Sequence, residues 1–236
     1  MIEPRIPIHH ASELLSKRPR EDLHLHTDFT DGKPTIREYV DRAVELGLET
    51  IGFPEHCNLK TTWLSTFRPA LEAERERVRG KLVVYWGIEA RGMSYDGAIA
   101  AKPEMIEAAE YVYGAFHSSL TSTPFPELPT DVAIAMEFAV TIGMIRARSC
   151  HAIAHPGGLS RKYHGRFPDE LFDEIARTAA REDVALELNS AYNADIVKQL
   201  ATFRKYDNRV VLGSNAHELG ELGHVVAAIS SLPETR

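Results

Sequence analysis

A short apolar segment followed by a helix-forming one recurs seven times along the 236 residues, and this alternation limits the folds open to the chain more than any other feature. The apolar segments fall at 22–26, 50–53, 81–86, 111–116, 152–154, 184–188 and 210–212. Between them lie helical patterns. Thr35-Ile36-Arg37-Glu38 has the form of a capping box behind Pro34. It opens a helix with Ile36, Tyr39, Val40, Ala43, Val44 and Leu46 on one apolar stripe, stopping at Gly47. Further helices are predicted near 66–79, 103–109, 131–148, 168–181, 195–205 and 222–232. Regular alternation of this kind argues for a parallel sheet covered by helices. No linker or low-complexity tract divides the chain, so one domain over 1–236 is expected, with an irregular lead-in over 1–21 holding a short helix near 11–17. Closing such a sheet into a barrel puts the C-terminal ends of the strands on one rim, where chemistry collects.

That rim is where the polar residues concentrate. The first segment carries His24 and His26 two apart, and on an extended strand alternate side chains share a face, about 7 Å apart. Asp28 and Asp31 follow, with a turn at Asp31-Gly32. The later segments run into His56, Glu89, His117, His155, and finally Asn215 with His217. Imidazole and carboxylate together are the ligand mix of zinc, manganese and iron. One ion offers about four to six positions, too few for the nine groups that remain when Asp28 is left aside, so two or three divalent ions are expected. Glu89 is suited to bridge two of them.

Composition narrows the rest. A net charge of −7 argues against broad nucleic-acid binding by phosphate neutralisation. Cys57 and Cys150 are too few for a disulfide framework and suit a reducing compartment. No apolar run approaches the about 18 residues of a membrane span, and the N-terminus lacks the apolar core of a signal peptide. A cytoplasmic protein without a membrane partner is expected, its oligomeric state left open.

Taken together, these motifs resemble the polymerase and histidinol phosphatase (PHP) domain family from Asp22 to His224. The matching elements are His24-x-His26 with Asp31-Gly32, Glu55-His56, Gly87-Ile88-Glu89, His117-Ser118, His155-Pro156-Gly157 and Gly213-Ser214-x-Ala216-His217. The resemblance implies a distorted TIM-like (β/α)7 barrel with a trinuclear zinc, manganese or iron site at the C-terminal rim. It assigns His24, His26 and Glu89 to one metal, helped by residue 215, and Asp31, His56 and His217 to a second. Glu89, His117 and His155 would hold a third. The family pattern has Asp where this chain has Asn215. An amide brings a carbonyl oxygen but no charge, so Asp31 and Glu89 are the two carboxylates left, and the first metal position is weakened.

The function implied is hydrolysis of a small phosphomonoester, with histidinol phosphate one candidate, by hydroxide formed at the metals. Asp31, His56, Glu89 and His217 are the expected catalytic set. No Ser-His-Asp triad or Gly-rich phosphate loop competes. Phosphate favours a guanidinium fork, and Arg161 leads the candidates, ahead of Arg91, Lys33 and Lys162. His164, in a polar loop over 161–166, is a further substrate contact. A PHP-type nuclease or nucleotide phosphohydrolase is one alternative, with nucleic acid the less favoured partner. A barrel with a decayed metal site is another, supported by Asn215 alone. Other residues have structural readings: His9 and His10 as exposed lead-in, His151 as core, His224 as surface or interface, Cys57 as a packed thiol. Glu55 is expected to hold an imidazole in its tautomer, and the Glu/Arg run at 72–79 to form a solvated helix face.

Overall fold

All seven apolar segments become parallel strands of one curled sheet. The computed structural model describes residues 3–192 and 195–233. Its elements in chain order are β1 (His9–His10), α1 (Leu14–Lys17), β2 (Glu21–Asp22), α2 (Ile36–Leu46), β3 (Thr50–Cys57), α3 (Leu64–Arg77), β4 (Val83–Arg91), α4 (Pro103–Ala108) and β5 (Tyr111–Ala115). There follow α5 (Thr130–Ala147), β6 (Ala152–Ile153), α6 (Gly158–His164), α7 (Asp169–Glu182), β7 (Ala185–Asn189), α8 (Ile196–Lys205), β8 (Arg209–Gly213) and α9 (His224–Ser230). The strand order is β1-β8-β7-β6-β5-β4-β3-β2. Strands β2 to β8 pair in parallel, and β1 runs antiparallel to β8.

The sheet curls until its first and last parallel strands meet. Leu23 N donates to Leu212 O at 2.8 Å, Ala216 N to His24 O at 3.0 Å, and His26 N to Ala216 O at 2.9 Å. Asp22, fully buried, adds a side-chain clasp across the seam: Ser214 N and Gly223 N each donate to one of its oxygens at 2.8 Å. These bonds satisfy backbone groups that an open edge would leave bare. The result is the α/β barrel expected from the sequence.

Pleating sorts the side chains into two layers. Leu23, Tyr111, Tyr113, Ala152, Ala185 and Val211 fill the barrel interior, joined by Ile6 from the lead-in. Trp86, Ile88, Val112, Ile153, Leu186 and Leu212 point outward and pack under the helices. Because Glu89 and Arg91 alternate with Ile88 and Ala90 on β4, both face inward, toward the rim.

Several local expectations stand. Thr35 caps α2 with a reciprocal capping box, and Gly47 ends it at φ 65°. Others are corrected. The lead-in is not irregular: His9–His10 pairs with β8, and His9 Nε2 sits 2.8 Å from Glu21 Oε1. The first strand is shorter than 22–26, its ladder limited to Glu21–Asp22 with an isolated bridge at Leu25. Val44 and Leu46 are 41% and 36% exposed, so the apolar stripe of α2 is narrower than its sequence. The run at 72–79 is not wholly solvated. Glu74 is buried and accepts from Arg37 and Arg77, while Arg75 donates to Val84 O and pairs with Glu110. His224 begins α9 exposed, and His151 Nδ1 accepts from Val112 N in a half-buried setting. Among the described residues, no helix is long and apolar enough to cross a membrane.

Candidate metal centre

Glu89 is the hub of the rim. Its carboxylate is fully buried at the end of β4 and has five imidazoles around it. Oε1 lies 2.9 Å from His155 Nε2, 3.1 Å from His117 Nε2 and 3.5 Å from His24 Nε2. Oε2 lies 3.0 Å from His56 Nδ1 and 3.5 Å from His26 Nε2. The other nitrogen of His56 reaches outward, its Nε2 3.4 Å from Asp31 Oδ2, an oxygen that is also 3.4 Å from His217 Nε2. His24 and His26 converge with ring centroids 5.0 Å apart and Nε2 atoms 3.0 Å apart.

Three overlapping groups emerge whose ligand atoms lie within 4.8 Å of one another: His24, His26 and Glu89; His26, Asp31, His56 and His217; and His56, Glu89 and His117. His155 adjoins the third through Glu89. Eight of the nine rim residues expected from the sequence are thus brought together, with His26, His56 and Glu89 each shared between two groups, and Asn215 lines the cleft into which they open.

The electrostatics follow from burial and the two acids. Burial alone lowers His24, but Glu187 and Glu89 beside it carry it up to about 10. His56 rises to about 10 against the same penalty, through Glu89 and Asp31. Asp31 is held well below the usual carboxylate range by His217 and His56. His26, buried beside His56 and His24, is lowered. Divalent cations would replace the protons that these acids hold on the rings.

The donor set fits metal ions. His26 Nδ1, Glu89 Oε2 and Asn215 Oδ1 are buried and make no hydrogen bond. Two imidazole Nε2 atoms 3.0 Å apart need a proton or a cation to offset their lone pairs. Imidazole nitrogen with carboxylate oxygen suits zinc, manganese or iron. Asn215 adopts left-handed backbone at φ 51°.

The cluster opens into a cleft of about 840 Å³ lined also by Arg91, Lys162, Tyr163, Tyr192 and Glu221. Arg91, two residues past Glu89, donates Nη1 to Ser118 Oγ at 2.6 Å. Lys162 sets its Nζ over the Tyr163 and Tyr192 rings. Tyr192 stands edge-on to His155 with centroids 5.0 Å apart, and burial pushes its hydroxyl up to about 12.

Two substrate contacts expected from the sequence lie elsewhere. The stretch read as a polar loop is the helix α6. On it Arg161 turns away from the cleft, stacking on Phe167 and Phe172 and donating to Pro156 O. His164 faces Thr130 and Phe125 O. Successive residues on a helix point about 100° apart, which is how Lys162 reaches the cleft that Arg161 does not. Lys33 is exposed and paired with Glu218. Glu55 holds no imidazole; it accepts from Thr27 N at 2.9 Å and from the Thr27 and Thr30 hydroxyls, tying down the loop that carries Asp31. Cys57 is a packed thiol pushed up to about 12 by burial, unlike a metal-binding thiolate. Sequence reasoning missed Tyr192 and Glu187. For Glu187 the signal was present: a lone carboxylate inside the apolar strand Ala185-Leu186-Glu187-Leu188.

A model of the PHP domain matches residues 22–191. A curated protein of Photobacterium profundum described as a "probable phosphatase" is 22% identical over 213 residues, 86% of this chain and 80% of its own length. Among solved structures, histidinol phosphate phosphatase from Lactococcus lactis, complexed with zinc, L-histidinol and phosphate, superposes with a TM-score of 0.68 at 17% identity. It covers 89% of this chain and 93% of its own. A provisionally named histidinol phosphatase from Listeria monocytogenes gives 0.70 at 15% identity, covering 88% and 99%.

Proposed function

The chain belongs to the PHP domain family, and on that premise we propose that this phosphoric ester hydrolase cleaves a small phosphomonoester at a cluster of two or three divalent ions on the barrel rim. The observation that carries the proposal is the buried Glu89 carboxylate, shared among five imidazoles, with the Asp31 pair one step further out. His24, His26, Glu89 and Asn215 would hold one ion; Asp31, His56 and His217 a second; Glu89, His117 and His155 a third. Zinc, manganese or iron held there supplies Lewis acidity and lowers the pKa of water toward neutrality.

The chain's own groups do the rest. Arg91 presents Nε and its second Nη to a phosphoryl group while Ser118 holds the first Nη in place. Lys162 adds a second positive charge on the cleft wall. The Tyr192 hydroxyl keeps its proton at neutral pH and can donate it to a phosphoryl or leaving-group oxygen. Asp31 and Glu89 fix the imidazoles from two sides. A net charge of −7 favours a compact ester over an oligonucleotide. Histidinol phosphate heads the substrates to try.

The test is inorganic phosphate release by metal-loaded protein from a panel of phosphomonoesters, beside single-stranded oligonucleotides and an Asn215→Asp variant. Turnover of a monoester, lost on chelation, is the expected result. Cleavage of oligonucleotides alone would refute it. Asn215 favours one competing reading, an impaired site: a silent protein rescued by Asn215→Asp would establish that reading instead.

A further inference from the structure

Behind the cluster, one carboxylate serves two ligand-bearing residues at once. Glu187 is the inward-facing residue at the middle of β7 and is fully buried. Its Oε1 lies 2.7 Å from His24 Nδ1, and its Oε2 accepts the backbone N–H of His155 at 2.6 Å. His155 has φ 30°, a left-handed conformation that side-chain-bearing residues rarely adopt, and this hydrogen bond is made at that residue. The neighbouring strand leaves room for the carboxylate. A Cβ on Gly213 would fall 1.9 Å from Glu187 Oε1 and 2.7 Å from His24 Cβ.

We propose that Glu187 is a positioning residue of the metal centre, fixing the proton of His24 on Nδ1 so that Nε2 offers a lone pair, and pinning the backbone that aims His155 at Glu89. This rests on the metal-dependent reading of the site. An imidazole binds a metal through an unprotonated nitrogen, and its other nitrogen is then a donor that needs an acceptor. One oxygen of Glu187 accepts a backbone N–H and the other lies within hydrogen-bond distance of His24 Nδ1, so an ionised carboxylate is the form that would hold a proton on that nitrogen. Its charge also bears on Asn215. The group formed by His24, His26 and Glu89 lacks the carboxylate that Asp would add at 215. Glu187 supplies a negative charge one layer out, through His24. One acid gripping both His24 and His155 also links two metal positions that share Glu89.

Glu187→Gln tests the tautomer with little change of shape. The amide has one acceptor and one donor group. If its oxygen keeps the His155 N–H, its NH2 faces His24 Nδ1, which must then accept, and the ring proton moves to Nε2 where it blocks coordination. Zinc titrated calorimetrically into the metal-free variant should show one ion fewer per chain, or one site weakened about 10- to 100-fold. Gly213→Ala, which displaces the carboxylate by steric contact, should act in the same direction. Wild-type zinc binding retained in a folded Glu187→Gln protein would overturn the proposal. A second measurement needs no variant: long-range 1H–15N spectra of the zinc-loaded wild type should show His24 protonated on Nδ1, and a proton on Nε2 would overturn it. Wild-type protein that takes up no zinc would refute the metal reading itself, and the role of Glu187 with it.

Discussion

Arg91→Ala should cost activity without costing the fold. Arg91 is the last residue of β4, on the same face as Glu89, with an exposed side chain. Among the described residues its one hydrogen bond runs from Nη1 to Ser118 Oγ, which leaves Nε and the second Nη as a free fork. Each charge-assisted hydrogen bond to phosphate is worth about 1.5–3 kcal/mol. Two such bonds sum to at least about 3 kcal/mol, and solvent in the open cleft screens part of this, so a loss of about 2–3 kcal/mol is expected. At about 1.4 kcal/mol per decade, kcat/KM should drop about 30- to 150-fold. Arg91→Lys should recover part of this, since an ammonium supplies the charge but not the fork. The assay is steady-state phosphate release from the best monoester at saturating metal, with thermal unfolding as control. A kcat/KM within about threefold of wild type, at equal stability, would refute the placement of the phosphoryl group beside Arg91.

Asp22→Asn should weaken the barrel seam. The amide can accept from only one of the Ser214 and Gly223 N–H groups, leaving the other buried against its NH2. Urea unfolding of the metal-free protein should show a loss of about 2–4 kcal/mol at constant m, and a loss under about 1 kcal/mol would contradict the clasp. Glu137 on α5, buried, accepts from Leu159 N and Ser160 N at the start of α6, the helix carrying Lys162 and Tyr163. Burial raises its carboxyl above the ordinary 4.5. A group raised in the folded state contributes stability that is present below its unfolded pKa and lost as pH rises through the folded one. Wild type should therefore lose stability relative to Glu137→Gln as pH climbs from 4.5; a difference that stays flat between acid and alkaline buffer would contradict this.

What could be read in the sequence was whatever local pattern controls. Thr35 with Glu38, and Gly47, set the ends of α2 from within a few residues. Strand ends carrying His56, Glu89, His117 and His155 converged because parallel strands share a direction, so residues at their C-terminal ends must share a rim. What could not be read depends on distant contacts. The helix α6 is polar in sequence, and its first-turn N–H groups at Leu159 and Ser160 are held by Glu137, more than twenty residues away. Without that helix, Arg161 and Lys162 could not be assigned to opposite sides. The pairing of His9–His10 with β8 spans nearly the whole chain, and two residues carry no periodicity. Glu187 stood out as an acid in an apolar strand, yet its partner His24 comes from the other side of the barrel seam.

The most direct test of the metal centre is elemental analysis after loading and desalting, for wild type beside Glu89→Gln. Glu89 contacts every group of rings around it, so removing its charge should affect more than one ion. Wild type holding two or three ions of zinc, manganese or iron per chain, with the variant losing at least one, is the expected result. Well under one ion per chain in the folded wild type would contradict it.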